Sequence, residues 1–334
     1  MMSLNVFSEG TQHFRFLIPI LRKFKSNFDI QINVFSLDKN DYLKKEVIVD
    51  NFYLLNKNNY KYQLASIEGD FLITTTPGVG TSSFPKSKII PKSNRPKYIY
   101  CFHSLVSPNE IYSKDSFKNF DYILSPNQLI SKQLRFLVSS NVKIYEFGYP
   151  VLENFVKSDI YEKKSILIAP SWGKDNLFTN VNHISKIINF FNEKDFEITL
   201  RPHPMFEMKN LNRFKTYVDK NLDLPSLSKY QFLMTDWSGI AIEYSYLTNR
   251  PVFFYNSPKK IRRNIKSNKE RGLRLIENEM RTELGVVFNE PEELYRLELD
   301  NINLNSEKAN NFLNNIVKNE IDYTCLSKII NANV

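Results

Sequence analysis

Cysteine is scarce: Cys101 and Cys325 are the only two, far apart in the chain. Their spacing fits neither a disulfide framework nor a set of metal ligands, which sets aside a stapled secreted scaffold and points to a reducing, cytosolic setting. No apolar run approaches the roughly eighteen residues needed to cross a bilayer. The longest candidate, 14–24, is interrupted by Arg15, Pro19, Arg22 and Lys23, and reads as a core-packed helix with a basic outer face. Residues 1–10 show no basic stretch followed by an apolar one, so a cleaved signal peptide is not expected. Also missing are a P-loop, a zinc-ligand spacing and an acidic D-x-D pair, so no metal is expected to be required. Gly78-Val79-Gly80 lacks the third glycine of a dinucleotide fingerprint, which argues against a nicotinamide enzyme. No internal repeat or low-complexity tract is present.

What the chain does contain is the composition of an ordinary globular protein. Its 334 residues are 42% hydrophobic and 24% charged, a length that favours two domains of about 150 residues each. Forty-five Lys and Arg outnumber 36 Asp and Glu, for a net charge of +9. Such an excess suits phosphorylated substrates, nucleic acid or anionic lipid, and by itself does not choose among them.

Apolar runs rich in Val, Ile, Phe and Tyr alternate with helix-like stretches, the pattern of parallel α/β units. The runs predict strands at 4–7, 30–35, 71–75, 98–102, 122–124 and 143–147, with helices at 12–25 and 127–138. After a polar stretch at 156–164, which reads as a linker, a second series predicts strands at 165–169, 197–200, 232–235, 252–255 and 286–288. Helices are expected between them at 181–192 and 239–247. The expected domains are therefore 1–155 and 156–305, with closing helices in 306–334.

In open α/β sheets the functional loops follow the carboxyl ends of strands, and the unusual residues of this chain sit there. Arg201 and His203, braced by Pro202 and Pro204, follow one strand; the guanidinium fork and the imidazole suit an anion. The bland reading is a turn whose histidine caps carbonyls. Thr235, Asp236, Trp237, Ser238 and Gly239 lead from a strand into a helix, where unpaired N–H groups and the helix dipole make a phosphate seat. Ser238 could equally be an N-cap only. Glu243, one turn on, either reaches ribose hydroxyls or is a solvated helix residue. His103 follows a strand of the first half, where it could take a proton from an attacking hydroxyl; the alternative is a satisfied buried histidine beside Cys101. Of the four histidines, His13 begins a helix near another strand end. Eight basic residues from Lys259 to Arg274 form a cluster able to bind a polyanion or lipid headgroups, or simply a solvated face.

Taken in order, ILIAPSW at 166–172, RPHP at 201–204, TDWSG at 235–239, RPVFFY at 250–255 and Arg271-Gly272 resemble the CDP-glycerol glycerophosphotransferase family. Gly148-Tyr149-Pro150 adds to the resemblance, and the first half matches more loosely through FSEG at 7–10 and Phe102-His103-Ser104. The family usually has Trp before its N-domain histidine and Gly after it, where this chain has Phe102 and Ser104. The resemblance implies a GT-B fold, two Rossmann-like domains facing a central cleft. It implies His103 as general base, with His203 as a second catalytic residue that also holds the donor phosphates. Arg201, Thr235, Asp236, Ser238 and Gly239 would share that phosphate site. Pro170, Ser171, Trp172 and Glu243 are expected beside the nucleotide, and Glu9, Gly10, His13 and Arg271 on the acceptor side.

The implied reaction moves glycerol phosphate, or a related alditol phosphate, from a cytidine-activated donor such as CDP-glycerol to a hydroxyl of a surface-polysaccharide or lipid-linked acceptor, releasing CMP. No cofactor is required for it. The expected setting is bacterial teichoic-acid or capsule synthesis, in the cytoplasm and peripheral to the inner face of the membrane. A CMP-sugar glycosyltransferase, as in the sialyltransferases and Kdo transferases that pair a His-Pro segment with a Ser-containing helix start, is the competing reading. A nucleic-acid-binding protein using the Lys259–Arg274 cluster ranks below both, because it leaves His103, His203 and the Ser238 helix start without a purpose.

Overall fold

The computed structural model describes residues 1–10, 14–78, 95–153, 157–158, 160–161, 163–173, 175–203, 206, 208–219, 227–259, 272–304, 306–318 and 320–333. They form two compact units.

The first unit is built on seven parallel strands: β1 (Met2–Ser8), β2 (Ile30–Ser36), β3 (Asn51–Leu54), β4 (Phe71–Thr74), β5 (Lys97–Cys101), β6 (Tyr122–Ser125) and β7 (Lys143–Glu146). Their order is β3-β2-β1-β4-β5-β6-β7. Central strands such as β4 and β6 are buried throughout, as expected where helices cover both faces of a parallel sheet. The edge strands differ. In β7, Lys143 and Glu146 are exposed, and in β3, Tyr53 and Leu54 are, which discourages further strand pairing in β7 through its charges. A ladder of asparagines pins the register of the first three strands: Asn51 donates to Asn33 (2.9 Å) and Asn33 to Asn5 (3.2 Å), while Asn5 Nδ2 donates to the carbonyls of Glu68 and Phe71. A one-residue slip would turn these amides to the opposite face.

Helix α1 (Phe14–Asn27) buries Phe16, Leu17, Ile18, Ile20, Leu21 and Phe24. Its basic face meets acidic partners, Arg22 with Glu46 and Lys25 with Asp50, as the sequence predicts for a core-packed helix. Shorter helices α2 (Tyr60–Ala65), α3 (Pro108–Ile111) and α4 (Gln128–Leu134) complete this part of the chain.

The second unit carries β8 (Ser165–Ile168), β9 (Glu197–Leu200), β10 (Phe232–Thr235), β11 (Val252–Tyr255) and β12 (Gly285–Phe288), all parallel, in the order β12-β11-β10-β8-β9. Helices α5 (Val181–Glu193), α6 (Ile240–Thr248), α7 (Ile276–Glu283) and α8 (Ser306–Ile316) accompany them, and α9 (Thr324–Asn331) ends the chain. The α5 residues Ile184, Ile187, Ile188, Phe190 and Phe191 form one core with Ile166, Phe232 and Phe253 of the sheet.

The units divide the chain differently from the sequence reading. The first joins Met1–Glu153 to Ile316–Val334, and the second includes Asn154–Ile261 and Arg274–Asn315, so the closing segment 306–334 is shared rather than separate. The physical reason lies at Gly148, whose φ of +106° is open to glycine. A Cβ there would meet Glu320 O at 2.9 Å and Ile321 Cδ1 at 2.8 Å. The returning chain is sewn in beside it, Tyr149 N–H donating to Lys318 O and Asp322 N–H to Phe147 O. The stretch read as a linker is also tied down. Ser158 N–H donates to Leu247 O, and buried Arg250 donates to the carbonyls of Ser158, Ser228 and Tyr230 while lying over the Tyr161 ring.

Candidate active site

In each sheet the strand order reverses at one point, and loops leaving the carboxyl ends of the two strands there diverge to leave a crevice. In the second unit that point lies between β8 and β10. The loop after β8 begins with buried Pro170 and continues through half-buried Ser171 and Trp172; the loop after β10 runs through Asp236, Trp237, Ser238 and Gly239 into α6.

Asp236, 1% exposed, knots these loops together. Its carboxylate accepts from Ser171 N–H (2.7 Å), Ser171 Oγ (3.0 Å), Trp237 N–H (2.6 Å) and Ser257 Oγ (3.1 Å). Thr235 donates to Ala169 O at 2.7 Å and is fully buried. Both residues, expected from the sequence on the donor phosphates, fasten loop to loop, and the Asp236 carboxylate already accepts four hydrogen bonds. Pro170, expected beside the nucleotide, is buried, and so is Glu243, 4% exposed in the first turn of α6.

What the knot presents is the start of α6. Ser238, Gly239 and Ile240 are half-buried and reachable. Gly239 is the N-cap and brings no side chain to satisfy the first turn, and Ser238 Oγ stands 3.5 Å from Ile240 N. Ala241 N–H donates to Ser238 O and Ile242 N–H to Gly239 O, so it is the dipole of this nine-residue helix that favours an anion at its half-buried start. Arg281, which the sequence reading missed, stiffens the seat from behind. Its guanidinium lies 3.9 Å over the Trp237 ring and donates to Asp236 O, Tyr255 O and Asn256 Oδ1. Burial pulls its pKa down to about 10, against the opposing pull of Asp236. Trp237 is held at its other polar end, Nε1 donating to Ser257 O at 2.8 Å. Only contacts between distant segments reveal Arg281 and Ser257; no local motif marks them.

Beside this seat, β9 delivers Arg201 and His203. Leu200 bridges Val218, Asp219 N–H donates to Leu200 O, and Asp219 thereby reaches the Arg201 guanidinium at 3.3 Å. Arg201 is 8% exposed, so it sits as one half of an ion pair rather than an open fork. His203 is half-buried, its ring 6.2 Å from Trp172. The structure thus brings together Ser171 with Asp236 and Trp172 with His203, at the edge where α6 begins.

In the first unit the order reverses between β1 and β4. Glu9 and Gly10 follow β1, Gly10 with a φ of +132° against Asp38. Asp41, buried like Asp236, accepts from Ser8 Oγ (2.5 Å), Ser36 Oγ (2.7 Å) and Leu43 N–H (3.0 Å), tying the ends of β1 and β2. His103 follows β5 in an aromatic setting, with Phe16 edge-on at 5.9 Å, Phe102 at 6.5 Å and Tyr100 Oη 3.3 Å from Nδ1. It is half-buried, hence neither a solvated nor a sealed imidazole.

His13, Pro204 and Arg271 lie outside the described residues, as do Lys260, Arg262, Arg263, Lys266 and Lys269 of the basic cluster. The cluster's described members are engaged: Lys259 lies 5.3 Å over Trp237, and Arg274 pairs with Glu279. Among the described residues no group of His, Cys, Asp and Glu could hold a metal ion, and no helix is long and apolar enough to cross a membrane.

Two parallel sheets with helices, each with its candidate residues at the carboxyl edge, define an α/β enzyme of the GT-B class. Known structures show the same fold. The wall teichoic acid polymerase TagF, as a His-to-Asn variant soaked with CDPG, aligns with a TM-score of 0.60 at 18% identity over 98% of this chain and 88% of its own. The S. aureus MnaA–UDP structure gives 0.64 at 16% identity over 99% and 95%. UDP-GlcNAc 2-epimerase from Methanocaldococcus jannaschii gives 0.58 at 13% over 99% and 100%. No curated protein sequence matches the chain. The family model of CDP-Glycerol:Poly(glycerophosphate) glycerophosphotransferase matches residues 34–312, and the chain belongs to that family, which makes it a transferase of the glycerophosphate type.

Proposed function

We propose that the protein transfers glycerol phosphate, or a closely related alditol phosphate, from a CDP-activated donor to a hydroxyl of a polyol or glycan acceptor, with CMP as the leaving group. The observation that carries this reading is the anion seat at the start of α6, held rigid by Asp236 and Arg281 in a chain of the glycerophosphotransferase family. The CDPG-soaked TagF structure, of the same fold, supports a cytidine donor.

In the proposed step the acceptor oxygen attacks the β-phosphorus of the donor. Its proton passes to His103, a P–O bond forms, and the bond from that phosphorus to the bridging oxygen breaks, leaving CMP with the electron pair. The dipole at the start of α6 and His203 stabilise charge on the phosphates, already oriented before reaction. Trp172, 6.2 Å from His203, offers a ring face beside the nucleotide. The product is a phosphodiester, whereas a CMP-sugar transferase would make a glycosidic bond.

The test is incubation with CDP-glycerol and a polyol-phosphate acceptor, following CMP release and the phosphodiester resonance by ³¹P NMR. Release of CMP together with that resonance is expected; turnover of CMP-sialic acid instead would overturn the reading. A lipid-linked acceptor would place the work at the inner membrane face, with the basic stretch assisting. Charge reversal at Arg262, Arg263 and Lys266 should then lower recovery in the membrane fraction, and unchanged fractionation would count against that placement.

A further inference from the structure

A histidine acts as a base only through the nitrogen that lacks a proton, so what fixes the proton on the other nitrogen decides whether the ring can work. Tyr100 lies on β5 and His103 just past its end, with the phenol oxygen 3.3 Å from Nδ1. Tyr100 cannot turn away. It is fully buried, with Phe117 at 5.0 Å, Phe120 at 5.2 Å and Phe102 at 6.0 Å around its ring. It is also hydrogen-bonded to Tyr112. A phenol has one proton; if it is given to Tyr112, the oxygen can only accept from His103.

We propose that Tyr100 is the positioning residue of His103: its oxygen accepts from the Nδ1–H of the imidazole while its own O–H donates to Tyr112, so that Nε2 carries the lone pair that takes the acceptor proton. The inference rests on the reading of His103 as the base and adds to it what makes that ring basic on the correct side. Burial and the Tyr112 bond hold Tyr100 well above the ordinary phenol range, which keeps it a neutral acceptor. Among the described residues, the charged and titratable groups placed near the pair include Glu9 beyond β1, Cys101 on β5, whose thiol burial keeps protonated, Tyr112 beyond α3, and Arg15 of α1, 4.9 Å over the Phe16 ring that meets His103.

Tyr100→Phe keeps the ring and its packing and removes only the oxygen; Tyr112→Phe keeps that oxygen but releases its proton to donate to Nδ1. With ¹⁵N-labelled histidine, assigned by difference from His103→Asn, the wild-type protein above the titration of the ring should show Nδ1 protonated. Tyr100→Phe should mix the two tautomers, and Tyr112→Phe should move the ring further toward Nε2–H. In kinetics Tyr100→Phe should lower kcat by about tenfold or more, leave the donor KM within about twofold, and move the acid limb of the kcat/KM profile to lower pH, because an acceptor that favours imidazolium has been lost. A wild-type ring already in the Nε2–H form, or a spectrum unmoved by Tyr100→Phe, would overturn the proposal. Full turnover by His103→Asn would overturn the underlying base assignment, an outcome visible separately from the tautomer signal.

Discussion

The two carboxyl edges follow one plan and reach opposite chemistry. Each is tied by a buried aspartate spanning loops of neighbouring strands, Asp41 in the first unit and Asp236 in the second. Around Asp236 the surroundings are polar and lead into the half-buried start of α6, whose dipole favours a fixed anion. Across the sheet from Asp41, His103 is set among the rings of Phe16, Phe102 and Tyr100, with the Tyr100 phenol oxygen 3.3 Å from Nδ1. The common aspartate belongs to the scaffold, and the function lies in what the scaffold holds out.

The sharpest way to break this comparison is to remove one histidine from each edge. His103→Asn should reduce kcat by about 10²-fold to 10⁴-fold and leave CMP affinity unchanged, whereas His203→Ala should lose CMP binding itself. If both lost binding equally, the division of labour would be wrong.

Next come the aspartates. Asp236→Ala strands four donors, two of them backbone N–H groups, and should cost about 3–5 kcal/mol in urea unfolding. Asp41→Ala strands three and should cost less, with CMP binding unaffected. Equal loss of CMP affinity in the two variants would remove the distinction between the edges.

A smaller effect separates the units by pH. Tyr98 in the first unit is held up to about 12 by burial, and Tyr244 in the second is raised further, also chiefly by burial. A phenol whose folded pKa is raised contributes its stability fully below pH 10, the unfolded value, and loses it as pH climbs toward the folded value. For Tyr98 the shift corresponds to about 3 kcal/mol lost between pH 10 and 12. Unfolding free energy measured from pH 8 to 11 should be flat and then fall, the fall reduced in Tyr98→Phe; a curve rising through pH 10 would contradict the assignment. The smallest change tests the seam of the first unit. Gly148→Ala should cost about 1–2 kcal/mol through its positive φ and the contact with Glu320 O, with CMP binding intact.

Much of this architecture is legible from one chain. Every strand expected from an apolar run is present, because strands such as β8, β10 and β11 are buried on both faces and write themselves as ILI, FLM and VFF. The missed elements lack that imprint. Strand β3 is a half-exposed edge, and α2 and α7 are short and polar enough to read as loop. At the site, position after a strand was enough to single out His103, His203, Ser238 and Gly239. Arg281, Ser257 and Tyr100 were not legible as functional, since each acts through a partner that only folding supplies: Arg281 through Trp237, Ser257 through Asp236, Tyr100 through the way β5 ends against His103.

Binding of a cytidine donor at the start of α6 beside His203 is measured by calorimetric titration of the wild-type protein and His203→Ala with CMP, CDP-glycerol, CMP-sialic acid, UDP-glucose and NAD, with circular dichroism confirming the fold of the variant. Saturable binding of CMP and CDP-glycerol that the substitution abolishes is expected, with no binding of NAD. Absence of cytidine binding, or binding indifferent to His203, would contradict the proposed donor site.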